Sequence, residues 1–413
     1  MKLFQKGELK LLWPFYLEYF TASLLYLIPA FMVVYFTSLS LSFTQIGILL
    51  SIIPLFQFIF EVPTGAIADL YGRKFSVLLG YILEAICVLA MFFFNNYYAM
   101  LIIFAIWGIG GTFSSGSKDA WIVDILNKKD KNLINHFFGR MQFIIKSGLV
   151  LSGFLGAFLV KVSGLKIIWL MTFFSYIISI TILGLLTSEN YKKHKIQLSK
   201  SLEKVFVQSK RSIHYSIKHP VIFYLLVASF FMMVSVTFSD SLGFVPFLKS
   251  LGLSDYAFGY FHSIYIFIGA IAGLFAKKML GKHKEVNFLI MTTAVGSLIL
   301  CGTYLANNLM ITMGIIFIAA FFFSLEYPIY QPYFHKFIPT KMRATIGSFQ
   351  SMIFEIAGII SLPLGGYLVD IIGAKGVIII SAFLGIPSII AYLLVKEEKA
   401  EPIKQEEEKP ETC

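Results

Sequence analysis

Apolar runs of twenty or more residues recur along this chain from residue 11 to residue 395. A run of this length crosses the ~30 Å hydrocarbon core of a bilayer as one α-helix. The alternating segments of about ten residues that are typical of a membrane β-barrel are absent from the sequence. Only 14% of the 413 residues are charged, whereas soluble proteins carry about a quarter. The sequence therefore predicts an all-α polytopic membrane protein.

Twelve transmembrane spans can be assigned, and the polar segments between them divide the chain. The spans are 11–36, 43–67, 75–94, 98–123, 137–160, 166–186, 221–248, 256–276, 286–305, 309–334, 344–371 and 376–395. The longest polar connection, 187–219, separates six spans from six. We therefore predict an N-terminal six-helix bundle over 1–188, a linker over 189–219, a C-terminal six-helix bundle over 220–396 and a disordered tail over 397–413.

Basic residues lie almost entirely on one side of the predicted membrane. Of the 34 Lys and Arg residues, 28 lie in or next to the N-terminus, the even-numbered loops and the C-terminus, four lie on the opposite side, and Lys118 and Lys146 lie deeper within spans. The four on the opposite side are Lys161, Lys166, Lys249 and Lys375. By the positive-inside rule both termini, the linker and the tail are expected to be cytoplasmic, in a multi-pass protein of the cell membrane. Topology thus explains the net charge of +11, and no nucleic-acid partner is expected.

Four of the predicted spans end in a similar pattern. The stretch GAIADLYGRK places Gly65, Asp69 and Gly72 at the end of span 2. Span 11 ends with the same spacing at Gly366, Asp370 and Gly373, and span 5 does so at Ala157, Lys161 and Gly164. Span 8 ends similarly at Gly273, Lys277 and Gly281, with one more residue in the spacing. Because the pattern recurs at every third span, we predict four repeats of three helices. Two halves with internal inverted repeats form a transporter architecture.

At every key position GAIADLYGRK resembles G-x-x-x-D-x-x-G-R-[KR], the loop 2–3 signature of the major facilitator superfamily. The resemblance covers residues 11–395 in span number, central loop and topology. The stretches EVPTGAIADLYGRK and SGSKDAWIVD also resemble prokaryotic drug or solute exporters of the proton-antiporter type. The resemblance implies the major facilitator fold and a conformational latch between its halves, formed here by Gly65, Asp69, Gly72, Arg73, Lys74 and Asp124.

The chemistry of these residues suits such a latch. Gly65 and Gly72 allow close approach of backbones, Asp69 can cap a helix N-terminus, and the Arg73 fork suits the Asp124 carboxylate. The alternative is an ordinary loop that fixes topology.

A second signature, typical of the antiporter branch, runs along span 5 as G-x8-G-x3-G-P-x-x-G-G. The residues in its places are Gly139, Gly148, Ser152, Gly153, Gly156 and Ala157. The spacing and small size are kept, but the proline is missing and two glycines are replaced. The signature therefore favours export without excluding import.

Ionisable residues within spans are candidates for proton coupling, because each costs roughly 2.5–3.5 kcal/mol on insertion scales. The resemblance places spans 1, 4, 7 and 10 around a cavity, and these spans carry Glu18, Lys118, Asp119, Asp240 and Glu326. At one depth of spans 5, 8 and 11 lie Lys146, His262 and Glu355. We predict that Lys146 and Glu355 pair, directly or through the cavity, and that His262 can carry a proton. The competing interpretation is an interfacial or packing role, which we favour for Glu84 on span 3.

The stretch SLEYPIYQPYF, residues 324–334, predicts a break in span 10, because its two prolines lack backbone donors. Irregular backbone at membrane depth is tolerated where it lines a cavity. The predicted lining residues are Tyr16, Tyr327, Tyr330 and Gln331. A lining of aromatic rings and acids suits an amphipathic or cationic organic substrate.

The leading hypothesis is a secondary active transporter that exports a small organic solute or drug in exchange for protons. A proton symporter or facilitator that imports a small nutrient is the alternative. A membrane enzyme or sensor is a remote third, since no nucleophile–base pair, phosphate-binding loop or metal-ligand cluster is visible. The expected partners are a small-molecule substrate, protons and membrane lipids, and we expect no enzymatic activity, no cofactor, no metal and a monomer.

Overall fold

The computed structural model describes residues 4, 7–129, 133–189, 213–339 and 342–396. Within these residues the regular structure is helical, without strands. Most of the predicted linker and all of the predicted tail lie outside the described residues.

Helices occupy the twelve predicted spans. In the first half they are Glu8–Leu25 with Ile28–Ser38 (span 1), Phe43–Tyr71 (span 2), Arg73–Phe93 (span 3), Tyr97–Ser114 with Ser117–Lys129 (span 4), Leu133–Ser163 (span 5) and Ile167–Leu186 (span 6). In the second half they are Pro220–Val236 with Thr237–Gly243 and Phe244–Ser250 (span 7), Ala257–Leu280 (span 8), Glu285–Cys301 (span 9), Leu309–Ser324 with Tyr327–Lys336 (span 10), and Arg343–Phe383 followed by Gly385–Leu393 (spans 11 and 12).

Spans 11 and 12 meet without an intervening loop. The described residues contain eleven apolar helical stretches long enough to cross a membrane, and the last, Thr345–Leu393, has 49 residues. At 1.5 Å per residue this stretch is about 70 Å long, more than twice the hydrocarbon thickness. Gly373 interrupts the helix with φ 76° and ψ 162°. The stretch therefore makes two crossings, and the predicted count of twelve stands.

The four repeats share one backbone feature at the end of their second helix. Gly72, Gly164, Gly281 and Gly373 all have positive φ, between 54° and 102°. Glycine adopts this conformation without the steric penalty that a Cβ would bring. These are the last positions of the pattern that the sequence repeats, so the pattern marks four helix ends that each need a glycine.

The span that opens each repeat is interrupted at a corresponding point. The first helical segments of spans 1, 4, 7 and 10 contain 18, 18, 17 and 16 residues. Two residues of irregular backbone follow in spans 1, 4 and 10, at 26–27, 115–116 and 325–326, and span 7 changes to a π-helix over Thr237–Gly243. Irregular backbone at membrane depth must be covered by protein or by water. These four spans therefore enclose the polar interior.

The two halves pack span 2 against span 11 and span 5 against span 8. We call the side of the odd-numbered loops the distal side and the side of the chain ends the terminal side. Near the distal side lie Gly47, Gly366, Gly153 and Gly259, and a Cβ added to any of them would meet backbone of the other half. The distal part of the interface is therefore closed at backbone contact.

The terminal part of the interface is packed less closely. An added Cβ would find no described atom within 4 Å at Gly65, Gly139 or Gly347. The close approach predicted at Gly65 is therefore absent from the described atoms in this conformation, because the backbone contacts of span 2 lie at its distal end.

Asp370 ties the distal ends of spans 2 and 11 together. Its Oδ1 accepts the N–H of Phe43 at 2.9 Å, and its Oδ2 accepts the N–H of Thr44 at 2.7 Å and the Thr44 hydroxyl at 2.6 Å. A carboxylate is favourable at this helix N-terminus, where backbone N–H groups lack intrahelical partners. Asp370 occupies the place in the repeat that Asp69 holds at the end of span 2.

Substituting Gly47 by Ala should lower the thermal unfolding midpoint, because the new Cβ would meet the Leu362 carbonyl oxygen. Overpacking of this kind costs about 1–3 kcal/mol. Gly314→Ala is the matched control, since a Cβ there meets no described atom within 4 Å. The midpoints can be measured by intrinsic fluorescence of the purified protein in detergent. Equal midpoints for the two variants would contradict the close packing of spans 2 and 11.

Candidate functional site

The loop between spans 2 and 3 holds the ion pair expected there. Arg73 Nη1 lies 2.7 Å from Asp124 Oδ2, and both side chains are partly exposed. Asp69 lies on the exposed surface at the end of span 2. Exposed ion pairs contribute only about 0–1 kcal/mol to folding. The Arg73–Asp124 pair is therefore better explained as a contact that orients span 3 relative to span 4 than as a contribution to the stability of the fold.

Glu189, at the start of the predicted linker, belongs to this cluster and was missed by the sequence reasoning. Its carboxylate accepts the N–H groups of Arg73 at 2.9 Å and Lys74 at 2.8 Å. The Lys74 ammonium donates to the carbonyls of Gly184 at 2.9 Å and Thr187 at 2.7 Å. An acid thus caps the start of span 3 and a cation caps the end of span 6. The available signal was that span 3 begins without a capping side chain of its own.

Glu18 lies inside the first bundle, where it forms an ion pair with Lys118. The Tyr81 hydroxyl donates to Glu18 Oε1 at 3.2 Å, and the Lys118 ammonium lies 3.6 Å from the centre of the Tyr19 ring. Asp119 accepts the Tyr19 hydroxyl at 3.4 Å from a more exposed position. The Glu18 and Lys118 charges neutralise each other within the protein.

Tyr16, predicted to line the cavity, is buried near the terminal side of span 1. Its hydroxyl donates to Glu8 Oε1 at 2.5 Å, and Glu8 also forms an ion pair with Arg140 of span 5. The Tyr16 ring packs on Phe137 with a centroid distance of 5.3 Å. In this conformation Tyr16 joins spans 1 and 5 and is not among the residues that line the cavity described below.

Glu326 lies at the predicted break of span 10 but faces the interior of the second bundle. Its Oε1 accepts the Tyr392 hydroxyl at 2.5 Å, and its Oε2 accepts the Thr293 hydroxyl at 3.3 Å. These partners belong to spans 12 and 9, the third helices of their repeats. Tyr330, expected beside this acid, donates its hydroxyl to the Leu225 carbonyl at 2.9 Å.

The other residues predicted from the span 10 break lie apart from one another. Tyr327 is 68% exposed. Gln331 Nε2 donates to Gln350 Oε1 at 3.4 Å, and Gln350 Nε2 donates to the Tyr330 hydroxyl at 3.3 Å. Gln331 and Tyr330 of span 10 thus both bind the side-chain amide of Gln350 in span 11.

Glu355 is coupled electrostatically to Glu61 of span 2. Gly47 and Pro54, which contact span 11, precede Glu61 at intervals of seven residues, so all three lie on the same face of span 2. Lys146 is exposed and forms no ion pair with Glu355. A direct pair is absent among the described residues because Lys146 belongs to span 5, which packs against span 8. Pairing through the cavity stays a prediction.

Asp240 lies in the π-helical turn of span 7 and is exposed. It interacts electrostatically with Tyr265 of span 8. π-Helical turns occur frequently at functional sites, and an ionisable residue in the middle of a span usually faces water or a partner. On the same span 8, His262 has a buried Nε2 without a hydrogen-bond partner among the described residues.

The small residues of span 5 lie between span 1 and span 8. A Cβ added to Gly148 or Gly156 would meet span 1, and one added to Gly153 would meet span 8. Ser152 and Ala157, which replace glycines of the signature, are buried as well. The signature therefore coincides with packing against span 1 of the same half and, at Gly153, against span 8 of the other half.

A cavity of about 160 Å³ lies beside the break of span 1. Its lining comes from spans 1 to 4 and consists of Tyr26, Ile28, Met32, Ile53, Gln57, Glu84 and Trp107. Tyr26 is the first residue of the break. The interruption of span 1 thus opens directly beside this cavity.

Glu84, for which the sequence favoured a packing or interfacial role, supplies the carboxyl group of this cavity. Its side chain is buried, and the side chains of Trp107 and Tyr176 lie near the carboxyl group. Glycines of span 4 leave room for the Glu84 side chain. A Cβ built on Gly110 would lie only 3.0 Å from Glu84 Cγ, and one built on Gly111 would lie 3.7 Å from Glu84 Oε1. The glycine-rich stretch IWGIGG was the sequence signal, because small residues allow helices to approach closely.

The cavity combines one acidic, one amide and several aromatic and apolar side chains. Among the described residues, no group of three His, Cys, Asp or Glu side chains lies close enough to hold a metal ion. The cavity offers one carboxyl group, one amide and aromatic faces, which recognise charge and shape rather than coordinate an ion.

Two six-span halves built from three-span repeats, with interrupted helices around a polar interior, define a secondary transporter. A family model described as the Major Facilitator Superfamily matches residues 16–362 and, in a second match, 290–413. The chain therefore belongs to the Major Facilitator Superfamily.

Curated relatives align along most of the chain. The uncharacterized MFS-type transporter YxaM of Bacillus subtilis (strain 168) is 25% identical over 390 residues, which cover 91% of this chain and 94% of the relative. The quinolone resistance protein NorA of Staphylococcus aureus (strain COL) is 23% identical over 381 residues, covering 89% and 91%.

Solved structures share the fold at low sequence identity. A point mutant of the nucleoside transporter NupG aligns with a TM-score of 0.71 at 14% identity, covering 93% of this chain and 100% of that one. A bacterial homologue of the iron transporter ferroportin in an inward-facing state aligns with a TM-score of 0.72 at 15% identity, covering 93% and 98%.

Removing one partner of the buried Glu18–Lys118 pair should destabilise the fold by about 3–5 kcal/mol, because the other charge stays buried without compensation. Glu18→Gln and Lys118→Met remove one charge each, and the double variant should lose less than the sum of the two. Denaturant titrations of the purified protein measure these differences. The matched control is the exposed Arg73–Asp124 pair, whose removal should cost about 0–1 kcal/mol. Additive losses in the double variant would contradict direct coupling of Glu18 and Lys118.

Proposed function

We propose that this transporter exports a small amphipathic or cationic organic solute in exchange for protons, by alternating access. The supporting observation is that Asp240 lies on a span around the polar interior, that Glu61 and Glu355 lie on spans at the interface between the halves, and that all three take part in none of the ion pairs of the described residues. Ionisable residues within a membrane typically mark substrate pathways and proton relays. The buried Glu18 charge, by contrast, is neutralised by Lys118.

The comparison with NorA favours export of an amphipathic compound. That relative is named for quinolone resistance and aligns over 89% of this chain. The antiporter-like small residues of span 5 agree with the same direction of transport. Gly153 stands in place of the proline of that signature, next to Ser152. This departure keeps proton-coupled import of a nutrient as the second candidate.

Alternating access requires that the two sides of the interface open in turn. The distribution of basic residues assigns the terminal side, with the linker and the tail, to the cytoplasm. In that orientation the closed distal interface corresponds to an inward-facing state. The Asp69–Arg73–Asp124 latch then holds the cytoplasmic side closed in the opposite state, and Asp370 is its external counterpart.

Two further residues complete the proposal for proton movement. His262, whose Nε2 is buried without a described partner, is a second candidate carrier. Lys146, exposed on span 5, is a candidate for balancing negative charge at the same depth. The predicted cavity roles of Asp119, Tyr327 and Gln331 remain part of the proposal.

Transport can be tested in proteoliposomes with ethidium as the probe. We expect vesicles that are acidic inside to accumulate ethidium, because outward proton flow drives antiport, and nigericin should abolish the accumulation. Asp240→Asn should slow it about tenfold or more, a loss typical for removal of a proton-transfer group. Glu285→Gln, which changes an acid at the terminal end of span 9, is the control and should transport at the wild-type rate.

The same vesicles separate the two candidate functions whatever the insertion direction. A symporter would accumulate its substrate only with acid outside. Accumulation of a nutrient under that gradient, with no response of ethidium to either gradient, would replace export by import.

Asp370→Asn should weaken the distal closure, because one carboxylate oxygen and the negative charge at the start of span 2 are lost. Asp69→Asn should act in the opposite sense on the cytoplasmic side, and both variants should slow transport. The measurement is maleimide labelling of Ser263→Cys, buried at the distal interface, in a protein without its native cysteines. Faster labelling is expected with Asp370→Asn and slower labelling with Asp69→Asn. Wild-type transport by Asp69→Asn would refute the latch.

A further inference from the structure

We propose that the cavity around Glu84 binds the ammonium group of the transported solute, and that this cation and a proton replace each other on the Glu84 carboxyl group. The proposal rests on the proposed function, since it names the site and the charge class of the solute. It concerns a part of the molecule that the sequence motifs of transport do not include.

Glu84 is a buried acid without a cation of its own. Its side chain is 8% exposed, and it takes part in none of the ion pairs of the described residues. Lys118 interacts with it only electrostatically, since the Lys118 ammonium is bound to Glu18. A buried carboxylate is costly unless it is paired or protonated. The cavity therefore calls for either a proton or an external cation.

The walls of the cavity suit an organic cation better than a metal ion. Trp107 and Tyr26 present aromatic rings, which attract ammonium groups through their faces. Met32 adds a polarisable thioether, which adapts to ligands of different shape. Gln57 is the only amide in the lining, and its Nε2 lies 2.9 Å from a Cβ built on Gly111.

The size of the cavity limits what it can hold. Its volume of about 160 Å³ is smaller than the ~300–1,000 Å³ that pockets for drug-sized ligands occupy. A trimethylammonium group or one aromatic ring fits such a volume. The cavity is therefore a subsite for the charged end of a larger solute.

Span 2 links this subsite with acids at the interface between the halves. Glu61 follows Gln57 by four residues, which places both on one face of the helix. Glu61 lies on the face of span 2 that contacts span 11, where it is coupled to Glu355. Two further acids, Glu61 and Glu355, are thus available to a cation at the interface between spans 2 and 11.

The exchange conserves charge. When the cation enters, the protonated carboxyl group of Glu84 releases its proton to water, and when the cation leaves, the proton returns. The titratable groups coupled electrostatically to Glu84 come from spans 1, 3, 4 and 6. They are Tyr26, Tyr81, Cys87, Lys118 and Tyr176. Lys118 is held by Glu18, so the proton that is exchanged is assigned to Glu84.

The test measures binding of benzyltrimethylammonium to the purified full-length protein by calorimetry, with proton release followed in weakly buffered solution. The wild type should bind and release about one proton per cation, as linkage requires. Glu84→Gln should bind about tenfold more weakly or worse, without proton release, because the opposing charge is lost. Glu84→Asp should restore part of the binding and part of the proton release. Glu285→Gln changes an acid outside the cavity and is the control, which should bind the cation like the wild type.

The outcomes separate the two proposals. Equal binding and proton release by wild type and Glu84→Gln would overturn the Glu84 site and leave proton-coupled export standing. Failure of the wild type to bind benzyltrimethylammonium, tetraphenylphosphonium or ethidium would overturn the Glu84 site and the cationic solute class, whereas proton-coupled export is decided by the vesicle gradients.

A second measurement avoids any variant and so holds even if Glu84→Gln does not fold. Dicyclohexylcarbodiimide modifies protonated carboxyl groups in apolar surroundings, and peptide mass spectrometry locates the product. Benzyltrimethylammonium should protect Glu84 of the wild type from modification. Glu326, buried against Tyr392 in the other bundle, is the internal reference and should react equally with and without the cation. Equal modification of Glu84 in both conditions would overturn the proposal.

Discussion

A helix that is interrupted inside a membrane leaves backbone groups that lipid cannot satisfy, so every interruption must be enclosed. This protein places four of them at one point of its repeat, in spans 1, 4, 7 and 10. The break of span 1 borders the Glu84 cavity, the π-helical turn of span 7 carries Asp240, and the break of span 10 carries Glu326. The walls formed by spans 2 and 11 and by spans 5 and 8 then provide the enclosure that these helices require.

The charged residues of the interior fall into two groups with different consequences. Glu18 and Lys118 neutralise each other, and Glu326 is held by two hydroxyl groups inside the second bundle. Such groups are fixed by their partners and contribute to the rigidity of each half. Asp240 and Glu84 take part in no described ion pair and lie next to water or a cavity. The free energy of their charged forms therefore depends on whether water, a proton or a ligand lies beside them. Such a dependence is required if ligand binding is to favour one conformation over another.

Features that depend on linear spacing were predictable from the sequence, and features that depend on helix rotation were not. The twelve spans, the four glycine-marked helix ends and the Arg73–Asp124 pair all follow from distances along the chain. The orientation of Glu84 and Glu326 does not, because a span that is apolar on all sides has no polar face to show which way it turns. Lys146 and Glu355 share a depth but form no described ion pair, because the sequence does not show that span 5 packs against span 8 and span 11 against span 2. Glu189 was missed because its partners are backbone N–H groups, which every sequence contains.

The Glu18–Lys118 pair also has an electrical meaning. A charge that moves through the whole membrane potential gains or loses about 2.3 kcal/mol per 100 mV. Two opposite charges held in one ion pair move together, so a rocking first bundle displaces no net charge on their account. The bundle can therefore carry buried charges through each conformational cycle without drawing on the membrane voltage. Any sensitivity of the cycle to voltage is left to the acids that have no such partner.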